Sequence, residues 1–194
     1  MKILAIIVMA VFYAAYFGKK WSQKRKGVST NQIAVGDKPR KVMLVEKIMG
    51  LATVIIVPVE LLSIVMHPRF TIITSLKNCI TIQVIGVTVA ALGVLTFITA
   101  MLTMADSWRA GIPEKDRTEF VQNGIYRISR NPAFLGFDLM YIGLLVAFPN
   151  ILHLVFAVFP IAMLHLQILN EEKFCENVFG ADYDEYRKKV RRYL

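Results

Sequence analysis

Apolar residues are concentrated in five long runs that are separated by short polar stretches: residues 3–17, 43–66, 80–104, 132–148 and 151–169. A helix that crosses the hydrocarbon core of a bilayer needs about 20 mostly apolar residues, so we expect one membrane-spanning helix from each run. The first run is short, but Lys2 and Lys19 beside it can extend their charged ends to the interface. The alternative count is four spans, with the first run removed or peripheral. The lysines that follow this run disfavour a cleaved signal peptide.

The last two apolar runs are separated only by Pro149 and Asn150. A connection this short predicts an antiparallel helical hairpin. The fourth helix is predicted to begin at Asn131-Pro132, because Asn is a favoured N-cap and Pro is tolerated at the first helical position. The pattern predicts an all-α polytopic integral membrane protein. We expect a single membrane domain over residues 1–194 with five transmembrane helices, the last two forming a tight helical hairpin.

The chain becomes polar beyond residue 169, while helical spacing of its apolar residues continues. Gly180 is expected to stop this surface helix. Asp182 followed by Glu185 is typical of a capping box and predicts a short basic helix over residues 183–193.

The composition agrees with a membrane protein and argues against other classes. Hydrophobic residues make up 56% of the chain and charged residues 19%, against roughly 45–50% and 25% in soluble domains. A soluble domain of this size has too little interior to bury separate apolar blocks of this length. A soluble globular enzyme, a disordered tail and a secreted disulfide scaffold are therefore not expected.

Positive charge is concentrated on one side of the predicted topology. The net charge is +9, and 19 of the 23 Lys and Arg residues fall within residues 18–41, 105–131 and 173–194. Because basic loops usually face the cytosol, we expect the N-terminus outside and the C-terminus in the cytosol. These basic stretches border apolar runs and carry no recognisable nucleic-acid fold. We therefore expect membrane lipids as partners rather than nucleic acid.

Neither a disulfide nor a metal site is expected. Cys79 and Cys175 lie far apart in the sequence, and no CxxC motif is present. The three histidines, at positions 67, 153 and 165, do not form a cluster with the spacing of metal ligands.

Of the carboxylates within or at the edge of apolar runs, where charge is costly, four are candidates for a functional role: Glu60, Asp138, Glu171 and Glu172. For Glu60 we favour a hydrogen bond between helices, or an approach to the outer interface, over a ligand role. For Asp138 a partner such as an arginine on another helix and a ligand role are weighed equally. Position alone favours surface charges for Glu171 and Glu172. However, Gln167 and Glu171 are four residues apart and share one helical face, which suits a ligand with a lipid part and a polar part.

The hydrophilic segment that precedes the fourth run has the features of a ligand-binding loop. Asn123-Gly124 predicts a turn. Arg127 and Arg130 flank the predicted start of the fourth helix, where free N–H groups and the helix dipole already favour an anion. A carboxylate or phosphate could dock there; the alternative is a loop whose arginines only touch lipid headgroups.

Two motif blocks follow one another in the last third of the chain. The first block consists of the stretches Asn123 to Arg127 and Arg130 to Gly136. The second consists of Glu171-Glu172, Phe179-Gly180, Tyr183, Tyr186 and Val190. Together the blocks resemble the isoprenylcysteine carboxyl methyltransferase family, and related phospholipid methyltransferases share the pattern. The first hundred residues resemble the family only as membrane helices.

The resemblance implies that S-adenosylmethionine binds within residues 105–194, at the cytosolic ends of the last two helices and in the loop before them. The positions matching the family's cofactor contacts are Thr118, Glu119, Phe120, Val121, Tyr126, Asn131 and Glu171. Gln167 matches a substrate-side position. Eukaryotic members usually have His in place of Asn131 and Arg in place of Gln167, and the second difference leaves the substrate's identity open. No catalytic residue is assigned.

The expected function is methyl transfer from S-adenosylmethionine to a lipophilic acceptor, with the carboxylate of a prenylated cysteine as the leading substrate. An ionised carboxylate needs no general base, so alignment and exclusion of water can suffice. Phe120 and Tyr126 could face the sulfonium through their rings. The alternatives are a phospholipid or other lipid N-methyltransferase and, in another class, a small membrane transporter using Glu60 and Asp138. We expect the cell membrane in a prokaryote and the endoplasmic reticulum in a eukaryote; the oligomeric state stays open.

Overall fold

The computed structural model describes residues 1–71, 79–112 and 119–194. The described residues form six α-helices: α1 (Lys2–Arg25), α2 (Arg40–Met66), α3 (Ile80–Met104), α4 (Pro132–Ala147), α5 (Ile151–Phe179) and α6 (Ala181–Lys189). Two 3-10 turns, Ala105–Ser107 and Gly124–Arg127, and two isolated β-bridges complete the regular structure of these residues. The predicted all-α class is confirmed.

Four helices of the described chain are long and apolar enough to cross a membrane: α1, α2, α3 with the turn that follows it, and α5. α4 is apolar but only 16 residues long, so the predicted count of five spans stays a prediction. α1 and α5 both extend beyond their apolar runs, to Arg25 and to Phe179. Neither extension contains a proline, and a helix needs apolar residues for burial in lipid but not for its own hydrogen bonds.

α3 and α4 pack with their backbones in contact. Gly86 and Gly93 on α3 face Gly143 and Gly136 on α4. A Cβ added to Gly93 would lie 2.6 Å from the backbone nitrogen of Met140. Only a helix without side chains along this face can come so close to another, which is the approach that small residues allow in membranes.

The short connection between α4 and α5 is present as predicted, but each helix has its most extensive contact elsewhere. α4 packs mainly against α3 and α5 mainly against α2, because the glycine face of α4 is turned toward α3. Asn150 caps α5, its side-chain oxygen accepting a hydrogen bond from the N–H of His153 at 2.8 Å. The bundle is thus built from two helix pairs, α3 with α4 and α2 with α5, and α1 lies against α3 and α2.

Two predicted caps differ from the structure. Asn131 occupies the N-cap position of α4, but its side chain makes no capping bond and is directed to α5 and the C-terminal tail instead. The capping box predicted at Asp182 is wrong, because α6 begins at Ala181, directly after Gly180. Gly180 ends α5 with φ of +50°, as predicted for a stop residue. α6 ends at Lys189, where the chain becomes extended and pairs with the residues before α4.

The loops 26–39, 105–112 and 119–131 and the tail 180–194 lie at one end of the bundle, which we call the basic end. Gln23 near the end of α1 donates a hydrogen bond to the carbonyl of Trp108 at 3.0 Å. The strand-like pairing of Asn31 with Ala110 joins the first two of these loops. A contact between Asn131 and Glu172 joins the start of α4 to the C-terminal part of α5, the part predicted to face the cytosol.

Candidate active site

A cavity of about 220 Å³ lies at the basic end, between the two helix pairs. One part of its wall is apolar and reaches into the bundle, and it includes Met49, Phe97, Phe134, Phe137 and Leu164. The other part is polar and aromatic and lies nearer the loops, and it includes Tyr126, Asn131, Glu171, Glu172, Tyr183 and Tyr186. The cavity therefore joins an apolar compartment to a polar compartment.

The structure brings most of the predicted cofactor positions to this single cavity. The described positions that line it are Glu119, Phe120, Val121, Tyr126, Asn131 and Glu171. Thr118, the remaining predicted cofactor position, lies outside the described residues. Gln167, the predicted substrate-side position, does not line the cavity and is fully buried directly behind Glu171.

Aromatic rings form one corner of the polar compartment. Phe120 stacks on Phe179 with ring centroids 4.6 Å apart, and the edge of Tyr186 meets Phe120 at 5.4 Å. The Tyr186 hydroxyl donates a hydrogen bond to the backbone carbonyl of Tyr126 at 2.6 Å. Burial, reinforced by the nearby charge of Glu171, raises the pKa of the Tyr126 phenol, and burial raises the pKa of Tyr186 to about 12. Both phenols therefore stay neutral near pH 7 and can donate hydrogen bonds.

Glu172 binds both arginines that approach it from outside α5. Its carboxylate lies 2.9 Å from Nη2 of Arg130 and 2.8 Å from Nη2 of Arg192. The Asn131 amide nitrogen donates to the same carboxylate at 3.1 Å. Arg130 also donates to the backbone carbonyls of Arg187 and Val190. The anion expected beside Arg130 at the start of α4 is thus a carboxylate of the protein itself.

Glu171 is connected to a second, deeper charge cluster. Its Oε1 accepts a hydrogen bond from Gln167 Nε2 at 3.0 Å, and the same nitrogen lies 3.4 Å from Oε1 of Glu46. Glu46 is fully buried and forms an ion pair with Lys38 at 2.7 Å, with the two side chains 0% and 5% exposed. Neither Glu171 nor Glu172 is an ordinary surface charge.

Glu46 also holds two loops over the cavity. Its carboxylate accepts hydrogen bonds from the backbone N–H of Ala34 at 2.6 Å and of Ile112 at 3.0 Å. Sequence reasoning missed Lys38 and Glu46. The available signal was the helical spacing that places Glu46 on the same face of α2 as Met49, which itself lines the cavity.

Glu60 and Asp138 lie outside the cavity. Glu60 is fully buried near the hydroxyls of Tyr13 and Tyr141, and in the described chain none of these three groups makes a hydrogen bond of good geometry. Because Tyr13 belongs to α1, the polar groups do meet between helices as expected at Glu60, without reaching good hydrogen-bond geometry. Among the described residues, no arginine forms an ion pair with Asp138, and its Oδ1 is buried without a hydrogen-bond partner.

Comparison with known proteins agrees with the resemblance seen in the motifs. A model of the phospholipid methyltransferase family matches residues 81–182. Protein-S-isoprenylcysteine O-methyltransferase of Saccharomyces cerevisiae is 34% identical over 110 residues, covering 55% of this chain and 46% of the yeast protein. Protein-S-isoprenylcysteine O-methyltransferase B of Arabidopsis thaliana is 30% identical over 151 residues, 76% of this chain and 74% of the plant protein.

A further relative, a probable protein-S-isoprenylcysteine O-methyltransferase of Oryza sativa, is 28% identical over 118 residues, 59% of this chain and 62% of the rice protein. The chain thus aligns with less than half of the yeast relative and with about three quarters of the Arabidopsis one. The family model covers more than half of this chain and includes all of α4, all of α5 and the loop 119–131 that precedes α4. On these matches, the chain belongs to the family of phospholipid and isoprenylcysteine methyltransferases.

Proposed function

We propose that this protein transfers a methyl group from S-adenosylmethionine to a lipophilic acceptor, the carboxylate of a prenylated cysteine. The observation that carries the proposal is the single cavity in which an apolar compartment, beside Phe97 and Phe134, adjoins a polar compartment beside Asn131 and Glu171. Transfer of a methyl group from a water-soluble donor to a lipophilic acceptor needs a site where two such compartments meet. The names of the yeast and Arabidopsis relatives support this choice of acceptor.

The polar compartment fits a cationic ligand that carries hydrogen-bond donors. The carboxylate of Glu171 lines the cavity, and its described hydrogen-bond partner is the neutral amide of Gln167. Aromatic rings such as Phe120 and Tyr126 attract a cation by about 0.5–2 kcal/mol. S-adenosylmethionine, when bound, supplies an activated methyl on a positively charged sulfur. Glu171, Asn131, Tyr126 and residues 119–121 are the described groups proposed to hold it.

The apolar compartment suits the hydrocarbon part of the acceptor. Phe97, Phe134, Phe137 and Leu164 present apolar surface from three helices. No histidine lines the described part of the cavity, and a carboxylate nucleophile requires no base to remove a proton. The chain's contribution would then be to align the two reactants and exclude water.

Methylation of a phospholipid amine is the second candidate, and the name of the matching family model favours it. An amine acceptor must lose a proton during the reaction. Of the carboxylates that line the cavity, Glu172 is paired with Arg130 and Arg192, and Glu171 is the one we propose to receive the proton. We further propose that the basic end faces the cytosol with the N-terminus outside, because basic loops are retained on that side. The cofactor would then enter the polar compartment from the cytosol.

The decisive assay supplies the purified protein with methyl-labelled S-adenosylmethionine and a farnesylcysteine analogue. We expect a labelled product that releases methanol on treatment with base, because a methyl ester is base-labile. A base-stable product formed from phosphatidylethanolamine would instead indicate lipid N-methylation. Absence of calorimetric binding of S-adenosylmethionine would exclude both methyltransferase functions.

Replacing Glu171 by Gln is expected to weaken binding of S-adenosylmethionine about tenfold or more. Hydrogen bonds to a charged group are worth about 1.5–3 kcal/mol, and the substitution removes the carboxylate of Glu171 while keeping the shape of its side chain. Glu176→Gln is the matched control, since Glu176 lies on the same helix, is exposed and pairs with Arg187 outside the cavity. Equal affinities of the two variants, measured by calorimetry, would remove Glu171 from the proposed site.

A further inference from the structure

The tail that follows α6 is attached to the residues that lead into α4. The carbonyl of Arg191 accepts a hydrogen bond from the N–H of Arg130 at 2.9 Å, and Ser129 pairs with Arg191 in a parallel bridge. The Ser129 hydroxyl donates to the carbonyl of Arg192 at 3.3 Å. Tyr193 then stacks on His165 of α5, and its hydroxyl lies 2.6 Å from Nδ1 of that histidine.

These contacts determine which way the side-chain amide of Asn131 faces. Its nitrogen lies 3.1 Å from Oε1 of Glu172 and 3.2 Å from the backbone carbonyl of Arg192. A carboxylate and a carbonyl can only accept hydrogen bonds, so the NH₂ group must face them. Both amide hydrogens are therefore used within the protein.

The carbonyl oxygen of the Asn131 amide is left as the group available to a ligand. Asn131 lines the polar compartment of the cavity, and no hydrogen bond to its Oδ1 comes from the described residues. An amide held in this way offers an acceptor and no donor.

The side chain of Arg192 keeps this arrangement in place. Its guanidinium makes hydrogen bonds of 2.8–3.2 Å to both oxygens of Glu172. A bidentate contact of this kind fixes geometry more tightly than a single bond. Arg192 therefore holds Asn131 twice, through its own backbone carbonyl and through the orientation of Glu172.

Resting on the proposed function, we propose that Arg192 is a positioning residue which fixes the Asn131 amide so that its Oδ1 accepts a hydrogen bond from an N–H or O–H donor of S-adenosylmethionine. Arg192 does not contact the ligand and acts through Asn131. Loss of the Arg192 side chain frees the tail and allows the Asn131 amide to rotate. In part of the protein molecules, the NH₂ group of Asn131 would then face the ligand in place of Oδ1.

A double-mutant cycle measured by calorimetry tests this coupling. Asn131→Ala removes the acceptor, and Arg192→Met removes the guanidinium; each is expected to weaken binding of S-adenosylmethionine about five- to tenfold. In the Asn131→Ala background, Arg192→Met is expected to have an effect below about twofold, because residues that act through one contact are not additive. The KM of the farnesylcysteine analogue should stay unchanged in Arg192→Met.

Lys188→Met is the control for loss of one positive charge at the basic end, because Lys188 is exposed on α6. Arg192→Lys keeps the positive charge but not the bidentate contact of the guanidinium, and it should retain part of the affinity for S-adenosylmethionine. This variant covers the case in which Arg192→Met does not fold. Additive losses in the cycle, or equal affinities of the Arg192 and Lys188 variants, would overturn the coupling while leaving the proposed function intact. If the unmodified protein does not bind S-adenosylmethionine at all, the proposed function itself fails.

Discussion

Replacing Lys38 by Met is expected to lower the free energy of unfolding by about 3–5 kcal/mol, the usual cost of leaving one member of a buried ion pair without its partner. The Glu46 carboxylate is fully buried, and Lys38 provides its positive charge at 2.7 Å. The same carboxylate holds the N–H groups of Ala34 and Ile112. Displacement of this carboxylate would therefore also loosen the loops over the cavity. Unfolding in detergent, followed by circular dichroism, measures the change.

The double variant Lys38→Met/Glu46→Gln separates the charge from the packing. Gln has nearly the volume of Glu and needs no counter-charge, so the double variant should recover more than half of the stability lost in the single one. Lys41→Met, at an exposed position one residue into α2, should leave stability within about 0.5 kcal/mol of the original protein. A single variant as stable as Lys41→Met would show that the ion pair is dispensable.

The second large effect is expected from Gly93→Ala at the contact of α3 with α4. The new Cβ would lie 2.6 Å from the backbone nitrogen of Met140 and 2.7 Å from the carbonyl oxygen of Gly136. Backbone atoms cannot move aside as a flexible side chain can, so the two helices must separate along their contact. We expect the free energy of unfolding to fall by about 2–3 kcal/mol, the upper part of the range for overpacked sites, measured in the same unfolding experiment.

Gly18→Ala makes the matched control. It introduces the same methyl group within α1, where nothing lies within 4 Å of the added Cβ. Alanine is a better helix former than glycine by about 0.5–1 kcal/mol, so this variant should be as stable as the original protein or slightly more so. If Gly93→Ala behaves in the same way, the close packing of α3 and α4 does not contribute to stability.

The hydrophobic pattern predicted most of the fold because burial in a membrane depends on the local run of apolar residues. It placed α2 and α3 within a few residues of their observed bounds. It ended the first helix too early, since hydropathy reports where lipid contact ends and not where backbone hydrogen bonding ends. For the fifth helix, the helical spacing beyond the apolar run correctly predicted an end at Phe179, before Gly180. The pairing of α4 with α3 depends on which face carries glycine, and hydropathy alone does not contain that information.

The candidate site was predicted through the motif blocks, while its supporting contacts were not. Asn131 was expected to cap α4 with its side chain. Instead, its amide nitrogen donates hydrogen bonds to Glu172 and to the carbonyl of Arg192, which are distant in sequence. The role of the Lys38–Glu46 ion pair can be recognised only from the contacts of Glu46 with Gln167 and Ile112. Helical spacing places Glu46 on the same face of α2 as Met49, but its partners are brought together by tertiary packing and cannot be identified from spacing along the chain.

The backbone contact between α3 and α4 also has a mechanical consequence. Where the backbones of α3 and α4 touch at four glycines, there are few side-chain rotamers to rearrange, so sliding or rolling would bring backbone atoms into collision. We expect the two helices to move together as a single rigid plate. The cavity borders this plate on one side and α2, α5 and the loops on the other. Any widening of the cavity is therefore expected to come from the opposite wall, formed by α2, α5 and the loops.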